Sequence, residues 1–177
     1  MQFVVPAQPK LRTAPPIGDD WVHEVKFDGW RVQLHKFPSH VTLYTKSGNY
    51  CHRRFPALTE AAADLPVRSC VIDGEVTASD DQGIPDFRSL HFRKDGAALS
   101  VWAFDLLYLN GHDLRKLALL DRKERLERLV AKTRAAWLAT QTPSRMAPRC
   151  SRRPIEARLH LGRQVVPLRH HALRIPT

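Results

Sequence analysis

Lys26 has the plainest chemical potential of any residue in this chain. It stands in the stretch EVKFDGWR, residues 24–31, two positions before the Asp28-Gly29 pair and shortly before Arg31. Val25 and Phe27 bring the backbone in extended, and Gly29 is expected to take a positive φ and turn it. A loop of this kind fixes an amine in place, and a neutral amine is a nucleophile. A lysine of ordinary pKa is almost wholly protonated at pH 7, and lowering that pKa by about two units costs about 2.7 kcal/mol. Burial and a nearby cation both push in the needed direction, with Arg31 or a metal ion as the cation. The plain alternative is a surface lysine in a hairpin turn.

A second group lies in SCVIDGEV, residues 69–76. Asp73 and Glu75 are two apart, so in a strand they share a face. Two anions side by side in an apolar strand are costly unless a cation or donor meets them. A metal, a lysine or a sugar hydroxyl would each serve; alternatively Asp73-Gly74 turns the chain. A third stretch, SVWAFDLLYL at 100–109, interrupts the most apolar run with Asp105 and sets Phe104 beside it. A phenylalanine there is core, or a stacking platform if a ligand pocket lies over it.

The elements that must position these residues can be read from periodicity. Trp21–Val25 reads as a strand leading into the lysine loop. Trp30, Val32 and Leu34 alternate with Arg31, Gln33 and His35 as in a half-buried strand, and the turn at Pro38–His40 joins it to a strand over 41–46. Ala57–Leu65 is expected to be a short helix ended by Pro66, with Asp86–Phe92 as a further helical turn. Asn110-Gly111 closes the strand at 100–109. Asp121–Lys132 is the clearest helix, with Asp121 as N-cap, Glu124 completing a capping box, an i,i+4 pair of Glu124 with Arg128, and Leu126, Leu129 and Val130 on one face.

Charge divides the chain. The formal charge is +10, yet residues 131–177 hold ten Lys and Arg against the single acid Glu156, while residues 1–130 are nearly balanced. Cys51, Cys70 and Cys150 form no CxxC pair, which fits a reducing compartment and no zinc site. The N-terminus lacks the marks of a signal peptide, and no run of 18 apolar residues occurs. A soluble intracellular protein is expected. Residues 1–20, with four prolines, read as an irregular arm lying across the body. There is no GxGxxG after a strand and no Walker loop, so neither glycine-rich cradle would hold a nucleotide.

Taken in order, these stretches resemble the catalytic core of ATP-dependent DNA ligases, in the covalent nucleotidyltransferase superfamily. Lys26, Asp28, Gly29 and Arg31 match the motif KxDGxR. TKSGNYCHRRFP at 45–56 looks like the loop motif that follows it, Asp73-Gly74-Glu75 matches DGE, and Phe104-Asp105 matches the aromatic-Asp motif. The approach PPIGDDWVHEVKFDG resembles bacterial ligases related to the end-joining type. The resemblance covers residues 3–130.

It implies that Lys26 attacks the α-phosphorus of ATP to form lysyl-AMP, with Mg²⁺, or Mn²⁺ in its place, screening the phosphates. Glu24 would contact the adenine amino group, Arg31 the sugar or phosphate, Glu75 the ribose hydroxyls or the metal, and Phe104 would stack on the adenine. Lys46 stands where many ligases have arginine, keeping the charge but losing the bidentate fork. The substrate implied is nicked or broken double-stranded DNA, handled by a bacterial, nucleoid-associated monomer working with end-joining proteins. An RNA ligase or capping-type nucleotidyltransferase is the alternative within enzymes, and a non-catalytic nucleotide- or nucleic-acid-binding remnant the alternative outside them.

The expected fold is α+β, two layers of antiparallel strands with flanking helices, divided into an arm at 1–20, a partial adenylation domain at 21–130 and a poorly ordered basic tail at 131–177. Leu, Ile, Val and Phe supply nine of the tail's 47 residues and prolines recur through it, with a short element expected near Glu156–Leu161. The Glu-Gly and Lys-x-Lys motifs and the OB-fold domain of these ligases are not recognisable there. The tail's mixture is what a GC-rich gene yields when read out of frame, which suggests a frameshifted or truncated ligase; a natural basic extension that binds phosphates is the alternative.

Overall fold

The computed structural model describes residues 1–7, 21–25, 27–79, 87–92, 98–133, 135–140 and 170–174. In chain order the elements are β1 (Trp21–Val25), β2 (Trp30–Lys36), β3 (Val41–Thr45), a 3-10 turn at His52–Arg54, α1 (Pro56–Ala63), β4 (Cys70–Ser79), α2 (Phe87–Phe92), β5 (Ala98–Leu109), β6 (His112–Asp113), α3 (Leu119–Thr133), β7 (Leu138–Thr140) and β8 (His170–Arg174). This is an α+β arrangement. The larger sheet among the described residues runs β3-β2-β4-β5-β6, with β7 added alongside β5. Its pairings are antiparallel except that of β5 with β7. The smaller sheet pairs β1 with β8.

Burial goes further than the alternation expected of a half-buried β2, since Gln33, His35 and Lys36 are buried along with Val32 and Leu34. Val32 and Leu34 of β2, Leu43 of β3, Ile72 of β4 and Leu106 of β5 are fully buried, and α3 closes this core with Leu126 and Leu129. α3 carries its leucines at helical spacing, so one face packs down while Glu124 and Arg128 pair on the exposed face. The helix starts at Leu119 rather than at Asp121. Asp121 is therefore in the first turn, where its charge favours the helix N-terminus, and is not the N-cap of a capping box. α1 starts on Pro56 and ends where Lys36 reaches across from β2 and donates to the carbonyls of Ala63 and, at 2.8 Å, Leu65.

Asn110 and Gly111 both take positive φ, 46° and 96°, and join β5 to β6 as a two-residue hairpin. The Asn110 side chain accepts from the backbone N–H groups of Arg68 and Ser69, tying that turn to the start of β4. Arg54 lies over the Trp30 ring at 3.9 Å and donates to the carbonyls of Leu90 and His91, which fastens the end of α2 to the sheet.

Residues 1–7 of the expected arm do lie on the body. Gln33 pairs with the backbone of Val4 through both its oxygen and its nitrogen at 2.9 Å, and Phe3 meets the Tyr44 ring. At the other end, α3 runs to Thr133 and β7 joins the sheet, so the fold draws on residues past position 130, where the sequence reading drew the domain edge. Residues 170–174 add a strand to β1. The short element expected near Glu156–Leu161 lies outside the described residues.

Candidate nucleotide site

Strand register sets four of the candidate residues close together across the larger sheet. Val32 stands opposite Thr45 in β3, which places exposed Lys46 just beyond; Arg31 stands opposite Glu75 in β4, and Glu75 opposite Trp102 in β5. Phe104 is two residues along β5 from Trp102. Lys26 itself lies outside the described residues, and its neighbours in sequence are held on both sides. Glu24 is tied to α3, the Phe27 ring stacks on Trp102 at 4.2 Å, and Gly29 packs on β4.

Gly29 has no positive φ, contrary to the sequence reading. Its need is one of space: a Cβ there would fall 2.2 Å from the Val76 carbonyl oxygen. Gly74 is alike, in mid-strand and not in a turn, with a Cβ position 2.6 Å from the Trp102 carbonyl oxygen. The glycines of Asp28-Gly29 and Asp73-Gly74 thus both let backbones close on each other.

The carboxylates find protein cations. Arg31 grips Asp73 bidentately, Nε donating to Oδ1 at 3.2 Å and Nη2 to Oδ2 at 2.7 Å, while Nη1 donates to the carbonyl of Ala7 in the arm. Burial pulls the Arg31 pKa down, but the hydrogen bond and charge of Asp73, with the charges of Glu75 and Asp105, outweigh it and leave the guanidinium raised. The cost of Asp73 in an apolar strand is therefore met by an arginine from the next strand. Arg122 of α3 holds Asp105 the same way, at 2.9 and 2.8 Å, and donates to the Leu117 carbonyl at 2.7 Å. Lys123 donates to Glu24 and, at 2.7 Å, to the carbonyl of Phe104.

Arg122 and Lys123 were not among the residues singled out from the sequence. The signal was present: Lys123 is four residues after Leu119 and three before Leu126, on the face that packs down, and a basic pair on such a face needs buried acids.

Phe104 owes its placement to a β-bulge. Asp105 pairs with Asp73 and Ala103 with Gly74, so Phe104 is an extra residue opposite nothing in β4. Bulges re-aim side chains, and this half-buried ring sits where the ladder is interrupted. Glu75 is also half-buried. Among the described residues no group of three His, Cys, Asp or Glu side chains could cage a metal ion. Mg²⁺ commonly takes one or two carboxylates together with substrate phosphates rather than an all-protein cage. Cys51 and Cys70 are buried, which pushes their thiols up to about 11 and about 12 and leaves them inert. No helix of the described residues is long and apolar enough to cross a membrane.

Arg31, Glu75 and Phe104 lie on neighbouring strands of one α+β sheet, and residues 10–147 match the ATP dependent DNA ligase domain family. The chain belongs to that family. Within it the likeness runs to the LigD proteins of bacterial non-homologous end joining. The multifunctional LigD of Pseudomonas aeruginosa is 36% identical over 132 residues, 73% of this chain and 16% of that protein. The bifunctional LigD of Bacillus subtilis is 33% identical, over 70% of this chain and 23% of its own length. The chain thus spans less than a quarter of either relative. Among solved structures, the ligase domain of M. tuberculosis LigD superposes with a TM-score of 0.58 at 32% identity, covering 70% of this chain and 40% of that one. A mycobacterial DNA ligase D complexed with ATP and MES gives 0.56 at 29% identity, covering 73% and 44%.

Proposed function

We propose that this chain is the adenylation module of an ATP-dependent DNA ligase, loading AMP for sealing nicked or broken double-stranded DNA in end joining. The observation that carries the reading is the row Lys46, Arg31, Glu75 and Trp102, with bulged Phe104 beside it and Phe27 stacked on Trp102, in a ligase-family chain. Lys26 Nζ attacks the α-phosphorus of ATP; an N–P bond forms, the P–O bond to pyrophosphate breaks, and the amine's proton leaves to solvent or to the departing phosphate. Phe104 stacks on the base, and Glu24 accepts from the adenine amino group. Glu75 accepts from the ribose hydroxyls or holds Mg²⁺, which when bound screens the triphosphate charge. Arg31 retains N–H groups beyond those on Asp73 and Ala7, available to sugar or phosphate. Lys46 contributes a point charge at the rim.

The test is incubation with Mg²⁺ and α-labelled ATP or GTP, followed by denaturation. Retained label from ATP that is absent in Lys26→Ala supports the reading. A wild type that retains none would favour a non-catalytic nucleotide- or nucleic-acid-binding role, and retention from GTP instead a capping-type activity.

A further inference from the structure

The ammonium of Lys123 is where two separately built parts of the site meet. Among the described residues β1 pairs with β8 and not with the larger sheet, so Glu24 and Phe104 belong to different sheets. Lys123 donates to both, to Glu24 Oε1 and to the Phe104 carbonyl at 2.7 Å. The Lys123 and Glu24 side chains are only 3% and 7% exposed. The Phe104 carbonyl belongs to the bulged residue, so the same ammonium pins the irregular point of β5. One buried cation therefore sets the acceptor for the base edge and the height of the ring that meets the base face.

We propose that Lys123 is a positioning residue for base recognition, acting through Glu24 and Phe104 and favouring purines with an exocyclic amino group over those with a carbonyl there. The inference rests on the adenylation reading above. A carboxylate only accepts, so it bonds an amino group and repels a carbonyl oxygen. Lys123 pairs with the Glu24 carboxylate and engages one oxygen, Oε1; Oε2 is not used by it. Without the ammonium the carboxylate loses its orientation and its charge becomes costly, and the bulge loses its anchor. Base discrimination then weakens, while the reacting lysine and phosphates are not touched directly.

The test follows self-labelling by α-labelled ATP and GTP in the wild type, Lys123→Met, Lys123→Arg and the double variant Glu24→Gln with Lys123→Met, with the folded fraction measured by circular dichroism. Lys123→Met should raise the ATP concentration for half-maximal labelling about tenfold and narrow the ATP-over-GTP preference, with a smaller change in rate at saturating ATP. Lys123→Arg should recover part of both. The double variant, which has no unpaired buried charge, should regain folding but not base preference. A Lys123→Met protein whose half-saturation and preference match the wild type would overturn the proposal. So would losses that track only the folded fraction. If the wild type takes no label, the adenylation reading falls and the positioning role with it, a pattern distinct from a labelled wild type with an indifferent variant.

Discussion

Gly29 and Gly74 carry the tightest constraints on single residues. Each faces a backbone carbonyl at a distance no Cβ tolerates, and a carbonyl in a ladder cannot swing aside as a side chain can. Gly29→Ala and Gly74→Ala should each cost about 2 kcal/mol, read as a lower urea midpoint at unchanged slope. Both glycines were visible in the sequence as Asp-Gly turns; the reason for them was not, because a close approach depends on which strand comes alongside. His35 is a second case. The backbone N–H of Val4 can only donate, so it fixes Gln33 Oε1 as acceptor, and His35 must carry its proton on Nε2 to donate there at 2.9 Å. Its Nδ1 is buried and has no partner among the described residues. Burial, helped by the N-terminal charge, pulls the His35 pKa from 6.5 to about 4. The folded state thus refuses a proton that the unfolded chain accepts, and stability should fall as pH drops from 6.5 to 4, by about 3 kcal/mol in all. A His35→Gln variant should flatten that slope in denaturant unfolding followed across the window.

Helix α3 joins the site through ion pairs as well as leucines. Arg122 meets Asp105 while both side chains are mostly buried, 14% and 17% exposed. Arg122→Met should strand the carboxylate and cost about 2 to 3 kcal/mol, and adding Asp105→Asn should return most of it. A double-mutant cycle in urea measures the coupling. The strands and the helix were legible in the alternation of β2, the apolar runs of β4 and β5 and the leucine spacing of α3, since these signals are local. The pairings did not: Asp73, Asp105 and Glu24 each wait on a cation brought by another element, at sequence separations of 42, 17 and 99. The bulge at Phe104 was equally hidden, because it is a property of two strands together.

At the scale of the molecule, no three His, Cys, Asp or Glu side chains among the described residues gather as a metal cage. Chelation by EDTA should leave the melting temperature unchanged while abolishing nucleotide labelling; a drop in melting temperature without nucleotide would reveal a structural metal. The family match runs to residue 147, into the basic stretch that begins at residue 131. Translating the encoding nucleotide sequence downstream of Val130 in the other frames decides whether ligase-like motifs lie there, and their absence from every frame counts against a frameshift. The central claim concerns the lysine with which the sequence reading began. Its most direct test is to incubate the chain with ATP and Mg²⁺, digest it, and map the modified peptide by mass spectrometry. AMP should be found on Lys26 and be absent from Lys26→Ala; AMP on another residue, or on none, would contradict the account.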